Sequence, residues 1–107
     1  MEDQATMLSY YESVAEASEV MLAAARRSDW DALIAAEKEC ARRIEALKSA
    51  RIPASLGPEA DKRRYQLIRA VLAYDAEIRE LTQPWMTQLE QLLGAARNGR
   101  RVDQAYR

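Results

Sequence analysis

Apolar residues recur at three- and four-residue intervals through the first quarter of the chain. With Ser18 in the same register, they form one seam of Met7, Tyr11, Val14, Met21 and Ala25. Steps of three and four place side chains on one face of an α-helix. The pattern therefore predicts a first helix over about 3–27 that packs through this face.

A second helix is predicted to begin almost at once. Ser28 is a favourable N-cap, and Asp29 and Asp31 suit the positively polarised first turn of a helix. The predicted helix covers 29–48 and, after so short a connection, runs antiparallel to the first. Its apolar stripe consists of Trp30, Leu33, Ile34, Cys40, Ala41, Ile44 and Leu47.

Two prolines and a glycine interrupt the pattern over 49–58, which predicts a loop, and Pro58 suits the start of a helix. A third helix is predicted over 59–82. Pro84 should then break or kink it, because proline lacks the N–H that would bond to Glu80.

Beyond this break we predict a short fourth helix over 85–97 and a basic tail over 98–107. The prediction is thus a single all-α domain, an antiparallel bundle of three main helices and a short fourth.

The third helix carries more apolar surface than one core requires. Its apolar positions cover an arc of about 200°, whereas a surface helix needs a stripe a little over 100° wide. Ile68 and Leu72 lie on the excess side beside Asp75 and Arg79, with Leu67 and Val71 beneath them. Apolar residues rimmed by charge are typical of a binding groove. The alternative is that helices 1 and 2 both cover this surface.

Glu37 lies near the middle of the apolar stripe of the second helix. A carboxylate there must find a donor or stay hydrated, because an unpaired buried charge is costly. One hypothesis makes it a polar anchor in a groove between helices 2 and 3, served by Tyr74, Tyr10 or Arg79. The other rotates the helix so that Glu37 reaches water.

Composition argues against several classes of function. The chain has a net charge of −1, no histidine and one cysteine, Cys40, so we expect no disulfide, no zinc site, no cofactor and no catalysis. Its basic clusters are balanced by nearby acids, which disfavours direct nucleic-acid binding. No apolar run is long enough for a membrane span and no signal peptide is evident, which predicts a soluble protein of a reducing compartment.

Several segments together resemble the FliT family of flagellar type III export chaperones. They are Ala25–Leu33 with its Trp-Asp pair, Glu37, Ile68–Leu72 continuing to Leu81, Leu89–Gly94, and Asp103–Tyr106. The resemblance covers nearly the whole chain and rests on the order and spacing of these short motifs.

The resemblance implies a cytoplasmic chaperone that binds the C-terminal segment of the filament-cap protein. It also implies contacts with the export ATPase and export gate and, in some bacteria, with the flagellar master transcription regulator. The C-terminal segment of the family is implicated in restraining partner binding, which suggests that role for Trp85, Leu89, Leu92, Leu93 and Tyr106. The alternatives are a self-associating structural protein and a small regulator of a transcription factor.

Overall fold

The computed structural model describes residues 3–106, with side chains described for residues 3–94. Within that range it contains three helices: α1 (Gln4–Arg26), α2 (Trp30–Ser49) and α3 (Pro58–Tyr106). No strand occurs in the described residues, so the predicted all-α class is confirmed. The molecule is elongated, with extents of 69 × 27 × 21 Å.

Helix α1 is the central element, because α2 and α3 both pack on it. Its buried positions are mostly small: Val14, Ala15, Ala17, Ser18, Leu22, Ala24 and Ala25. Small side chains let neighbouring helices come close. One core cluster joins Val14 and Ala17 to Cys40 of α2, and a second joins Leu22 and Ala25 to Ile78 of α3.

The helices run up, down and up. Arg43 of α2 donates to the Ser13 carbonyl at 2.9 Å, and Cys40 lies 3.9 Å from Ser18, so α2 is antiparallel to α1. Arg26 of α1 forms a two-bond ion pair with Glu77 of α3, at 2.6 and 3.0 Å. Nearer the other end of α1, Gln4 donates to the Leu56 carbonyl, just before α3 begins. Helix α3 therefore runs parallel to α1.

The corner between α1 and α2 differs from the prediction in its cap. Asp29, not Ser28, is the N-cap of α2, and its carboxylate accepts from the Ala32 N–H at 3.1 Å. Ser28 has a φ of 54° and donates its N–H to the Ala25 carbonyl, while the Asp29 N–H reaches Ala24. This is the Schellman arrangement, which places Ser28 in the left-handed position that ends α1.

The loop before α3 is held by Asp61 and Arg64. Asp61 accepts from the Leu56 N–H and the Ser55 hydroxyl, both at 2.8 Å, and from Arg64 at 2.8 Å. Arg64 also donates to the carbonyls of Pro53 and Ala54. These bonds lower the pKa of Asp61, with the Leu56 N–H the largest cause, followed by Ser55.

The predicted break near 82–84 and the separate helix over 85–97 are wrong. Helix α3 continues through Pro84 and includes, up to Tyr106, the segment predicted as a basic tail. Proline removes one backbone bond at a cost of about 3 kcal/mol. The turn around Glu80 is largely exposed, so its carbonyl can bond to water instead. Beyond the proline, contact of Trp85 with α2 holds the helix in place.

Helix α3 extends past the rest of the bundle. Helix α1 ends where Arg26 meets Glu77, and α2 begins where Trp30 meets Trp85. The part of α3 after Met86 therefore projects by about 30 Å at 1.5 Å per residue. We call this part the overhang.

Candidate binding groove

Helices α2 and α3 flank α1, and their backbones do not come close to each other. Within the described part of the chain, each has close backbone neighbours on α1, and α2 and α3 have none on one another. The space between them is open to solvent and forms a cleft, with α1 as its floor and α2 and α3 as its walls. We call this cleft the α2–α3 groove.

The groove has three connected sections, with volumes of about 130, 380 and 310 Å³. The first lies at the loop end, between Tyr11, Leu47 and Ile68, and it shares Val71 and Leu72 with the middle section. The middle and the last section share Met21, Glu37 and Ile78. The shared residues make the three sections one continuous and mainly apolar surface.

Both apolar residues predicted on the excess face of the third helix are accessible in the groove. Ile68 is 41% exposed and Leu72 is 62% exposed, and both line the loop-end section. Val71 lines the groove beside them, and Leu67 is buried against α1 beneath. The alternative that helices 1 and 2 both cover this surface is therefore wrong.

The predicted charged residues lie on opposite walls. Asp75 lines the middle section from α3 and accepts from Arg79 at 2.9 Å, one turn further along the same helix. Glu37 lines the middle and last sections from α2 and is exposed. The hypothesis that rotates Glu37 towards water matches the structure.

The donors predicted for Glu37 are engaged elsewhere. Tyr74 lies on the other side of α3 and donates its hydroxyl to Glu19 of α1 at 2.8 Å. That hydrogen bond is the main reason why the pKa of Tyr74 is raised above its ordinary value. Arg79 is paired with Asp75. Glu37 makes no hydrogen bond or ion pair with any residue whose side chain the structure describes.

The last section of the groove was predicted only in part from the sequence. It is closed at its end by Trp30 of α2 stacked on Trp85 of α3, and Ile34 and Met86 lie beside them. The α2 side of this section was predicted, because Trp30 and Ile34 lie on the predicted apolar stripe of the second helix with Glu37 near its middle. What the sequence did not show is that Trp85 and Met86 of α3 face this stripe.

The structure places the predicted C-terminal regulatory residues on α3 itself. Trp85 contacts Trp30, whereas Leu89, Leu92 and Leu93 lie on the overhang and are 38%, 70% and 49% exposed. As part of α3, they do not form an independent helix that covers the groove of this chain. The side chain of Tyr106 lies outside the described side chains.

Two further features bear on the kind of site. No group of three or more His, Cys, Asp or Glu residues in the described range is placed to hold a metal ion. None of the helices there is both long and apolar enough to cross a bilayer.

The fold and the groove together define a bundle of three helices with an open apolar cleft that has the length of a peptide helix. The comparison with known families is specific: the chain belongs to the FliT family, whose model, described as flagellar protein FliT, matches residues 8–107.

Individual relatives agree with the family match. The chain is 28% identical over 106 residues to the flagellar protein FliT of Yersinia pseudotuberculosis serotype O:3 (strain YPIII), covering 99% of this chain and 88% of that protein. It is 27% identical over 106 residues to the protein of the same name from Yersinia pestis bv. Antiqua (strain Angola), with the same coverage. No solved structure matches the chain.

Proposed function

We propose that this protein is a cytoplasmic flagellar export chaperone that holds the C-terminal segment of the filament-cap protein as a helix in the α2–α3 groove. The observation that carries the proposal is the separation of α2 and α3, which leaves Ile68 and Leu72 exposed in an apolar cleft. Membership of a flagellar protein family supports the choice of cargo.

The size of the groove supports a helical ligand. From Ile68 to Met86 the α3 wall is about 27 Å long at 1.5 Å per residue, the length of an 18-residue helix. An amphipathic helix presents apolar residues at positions i, i+3, i+4 and i+7, and these fit an apolar groove between two helices. Binding would cover the apolar face of the cargo and keep that segment from aggregating before export.

Delivery of the cargo requires contacts with the export apparatus. We include the export ATPase and the export gate among the partners, and the flagellar master transcription regulator as a further one. Leu89, Leu92 and Leu93 of the overhang are exposed outside the groove and are available for such contacts.

Binding is tested by calorimetry with a synthetic peptide of the cap protein's C-terminal segment from the same organism. We expect the double variant Ile68→Ala, Leu72→Ala to lose at least 2 kcal/mol of binding free energy, or about thirtyfold in affinity. The matched control is Val20→Ala, because Val20 is an apolar residue of α1 that is 55% exposed and does not line the groove. Equal affinity of both variants, with unchanged helical circular dichroism, would refute the proposed site.

A second candidate function, self-association as a structural protein, is favoured by the exposed leucines of the overhang. Light scattering with and without the peptide separates the two functions. A chaperone should bind one peptide per groove, with an affinity that Leu92→Ala leaves unchanged. If the protein self-associates instead, Leu92→Ala should lower the particle mass measured by light scattering, and the peptide should not bind.

The predicted restraint by the C-terminal segment is tested with a chain that ends at Met86, which keeps Trp85 and Met86 of the groove and lacks the overhang. If the overhang restrains binding, this shortened chain should bind the peptide more tightly than the full chain does. Equal affinities would show that the overhang has no restraining role.

A further inference from the structure

Glu37 is the carboxylate of the groove that lacks a partner. It lies on the α2 wall where the middle and last sections meet, and it makes no hydrogen bond or ion pair within the described side chains. The other carboxylate of the groove, Asp75, is bonded to Arg79. Next to Glu37 on α2, Glu39 accepts from both Arg42 and Arg43. Glu37 is therefore an unpaired carboxylate within the mainly apolar lining of the groove.

A ligand helix that fills this groove removes water from Glu37. Covering the carboxylate with apolar side chains alone would leave a charge without hydrogen bonds, which is strongly unfavourable. A lysine or arginine at that point instead forms a charge-assisted hydrogen bond in surroundings of low polarity. We propose that the ligand, held as in the function proposed above, carries a basic residue within its apolar face that pairs with Glu37.

The position of Glu37 also determines the expected pattern in the ligand. Trp30 and Ile34 lie on one side of it along α2, and Ala41 and Ile44 lie on the other. The basic residue should therefore have apolar neighbours three or four positions away on both sides. Because Glu37 is a single charged position within an apolar lining, pairing with it fixes the register of the ligand helix along the groove.

The same charge argues against a second copy of this chain as the occupant. The exposed leucines of the overhang, Leu89, Leu92 and Leu93, lie within 87–93, a stretch that contains no lysine or arginine. Its one charged residue is Glu90, which would bring a second negative charge towards Glu37. The groove thus favours a basic amphipathic helix from a different protein over the stretch 87–93 of a second copy.

The experiment measures binding of the cap-protein C-terminal peptide to the full chain at low and at moderate salt. Glu37→Gln keeps the size of the side chain and removes its charge, and we expect it to weaken binding by about tenfold at low salt and by less at moderate salt. Glu80→Gln is the matched control, since Glu80 is exposed on α3 and does not line the groove. It should leave the affinity unchanged.

The basic residue of the ligand is identified by replacing each lysine and arginine of the peptide with glutamine in turn. One replacement should weaken binding of the wild-type protein and have little further effect on Glu37→Gln, the signature of a direct pair. Exchanging the charges, with Glu37→Lys in the protein and glutamate at that peptide position, should recover much of the lost affinity.

The outcomes separate this inference from the proposed function. If the peptide binds in a manner sensitive to Ile68 and Leu72, while Glu37→Gln behaves like Glu80→Gln, the pairing is refuted and the chaperone function stands. If the peptide does not bind the wild-type chain at all, both are refuted.

Discussion

Trp30, the first residue of α2, stacks on Trp85 of α3 with their ring centroids 5.2 Å apart and their planes inclined by 22°. The two helices otherwise stand apart on either side of α1. The stack therefore joins the two walls of the α2–α3 groove at one end, and it contacts α3 one residue after Pro84.

The first prediction is that the two tryptophans are energetically coupled. A stacked aromatic pair contributes about 1 kcal/mol beyond the burial of its area. Urea unfolding of Trp30→Ala, Trp85→Ala and the double variant should therefore show a coupling of this size. If the stability lost in the double variant equals the sum of the losses in the two single variants, the rings do not stabilise one another.

A second prediction concerns Pro84→Ala. Alanine restores the N–H that can bond to Glu80 and is the best helix former, so the variant should be more stable by up to about 3 kcal/mol. Thermal unfolding and the 222 nm circular dichroism signal check this. A lower melting temperature would mean that the ring of Pro84 makes a contact that the chain needs.

The third prediction contrasts two glycines. Gly57 has a φ of +103° and an added Cβ would lie 3.1 Å from the Gln4 side-chain nitrogen, so Gly57→Ala should destabilise the protein by about 1 kcal/mol or more. Gly94 is helical with nothing within 4 Å of an added Cβ, so Gly94→Ala should stabilise it by up to about 1 kcal/mol. Denaturant unfolding of both variants tests the contrast in sign.

A fourth prediction links the loop before α3 to pH. The bonds from Leu56, Ser55 and Arg64 lower the pKa of Asp61 below its ordinary value near 3.8. Its contribution to stability is therefore present above that value and is lost as the pH falls through the folded-state pKa.

In a series of unfolding curves from pH 6 down to pH 2, Asp61→Asn should accordingly lose less stability than the wild type. Asp3, Glu39 and Glu77 also have lowered pKa values, so both the wild type and the variant will lose some stability as these groups are protonated. Glu59→Gln, an exposed neighbour in the first turn of α3, is the control and should follow the wild type. Identical slopes for all three proteins would contradict the role assigned to Asp61.

The sequence was most informative where the signal is periodic. Steps of three and four identify helices directly, and the breadth of the apolar arc on the third helix indicated the exposure of Ile68 and Leu72. The prediction of a break at Pro84 failed because it considered only the local cost of proline within a helix. It did not include the contact between Trp30 and Trp85, which holds the helix in place beyond the proline. Trp30 and Trp85 are separated by 55 positions, so their stack leaves no trace in the pattern around the proline.

The cap at the first corner shows a similar limit. Ser28 and Asp29 are both good N-caps, and the choice between them depends on how the α1 carbonyls are satisfied. Once Ser28 takes the left-handed position that ends α1, Asp29 is the residue left to begin α2. Whether Glu37 is buried or reaches solvent depends on the rotation of α2 about its own axis. That rotation is set by the packing of α2 on α1, which the sequence pattern does not show.

The continuity of α3 has a mechanical consequence. The same unbroken helix forms one wall of the groove and the whole of the overhang, so a rigid tilt of its part that packs on α1 would move the overhang as well. If a ligand wedges α2 and α3 apart and tilts α3 by about 10°, an arm of about 30 Å moves its far end by roughly 5 Å. A tilt of this kind would make occupancy of the groove detectable at the far end of the overhang.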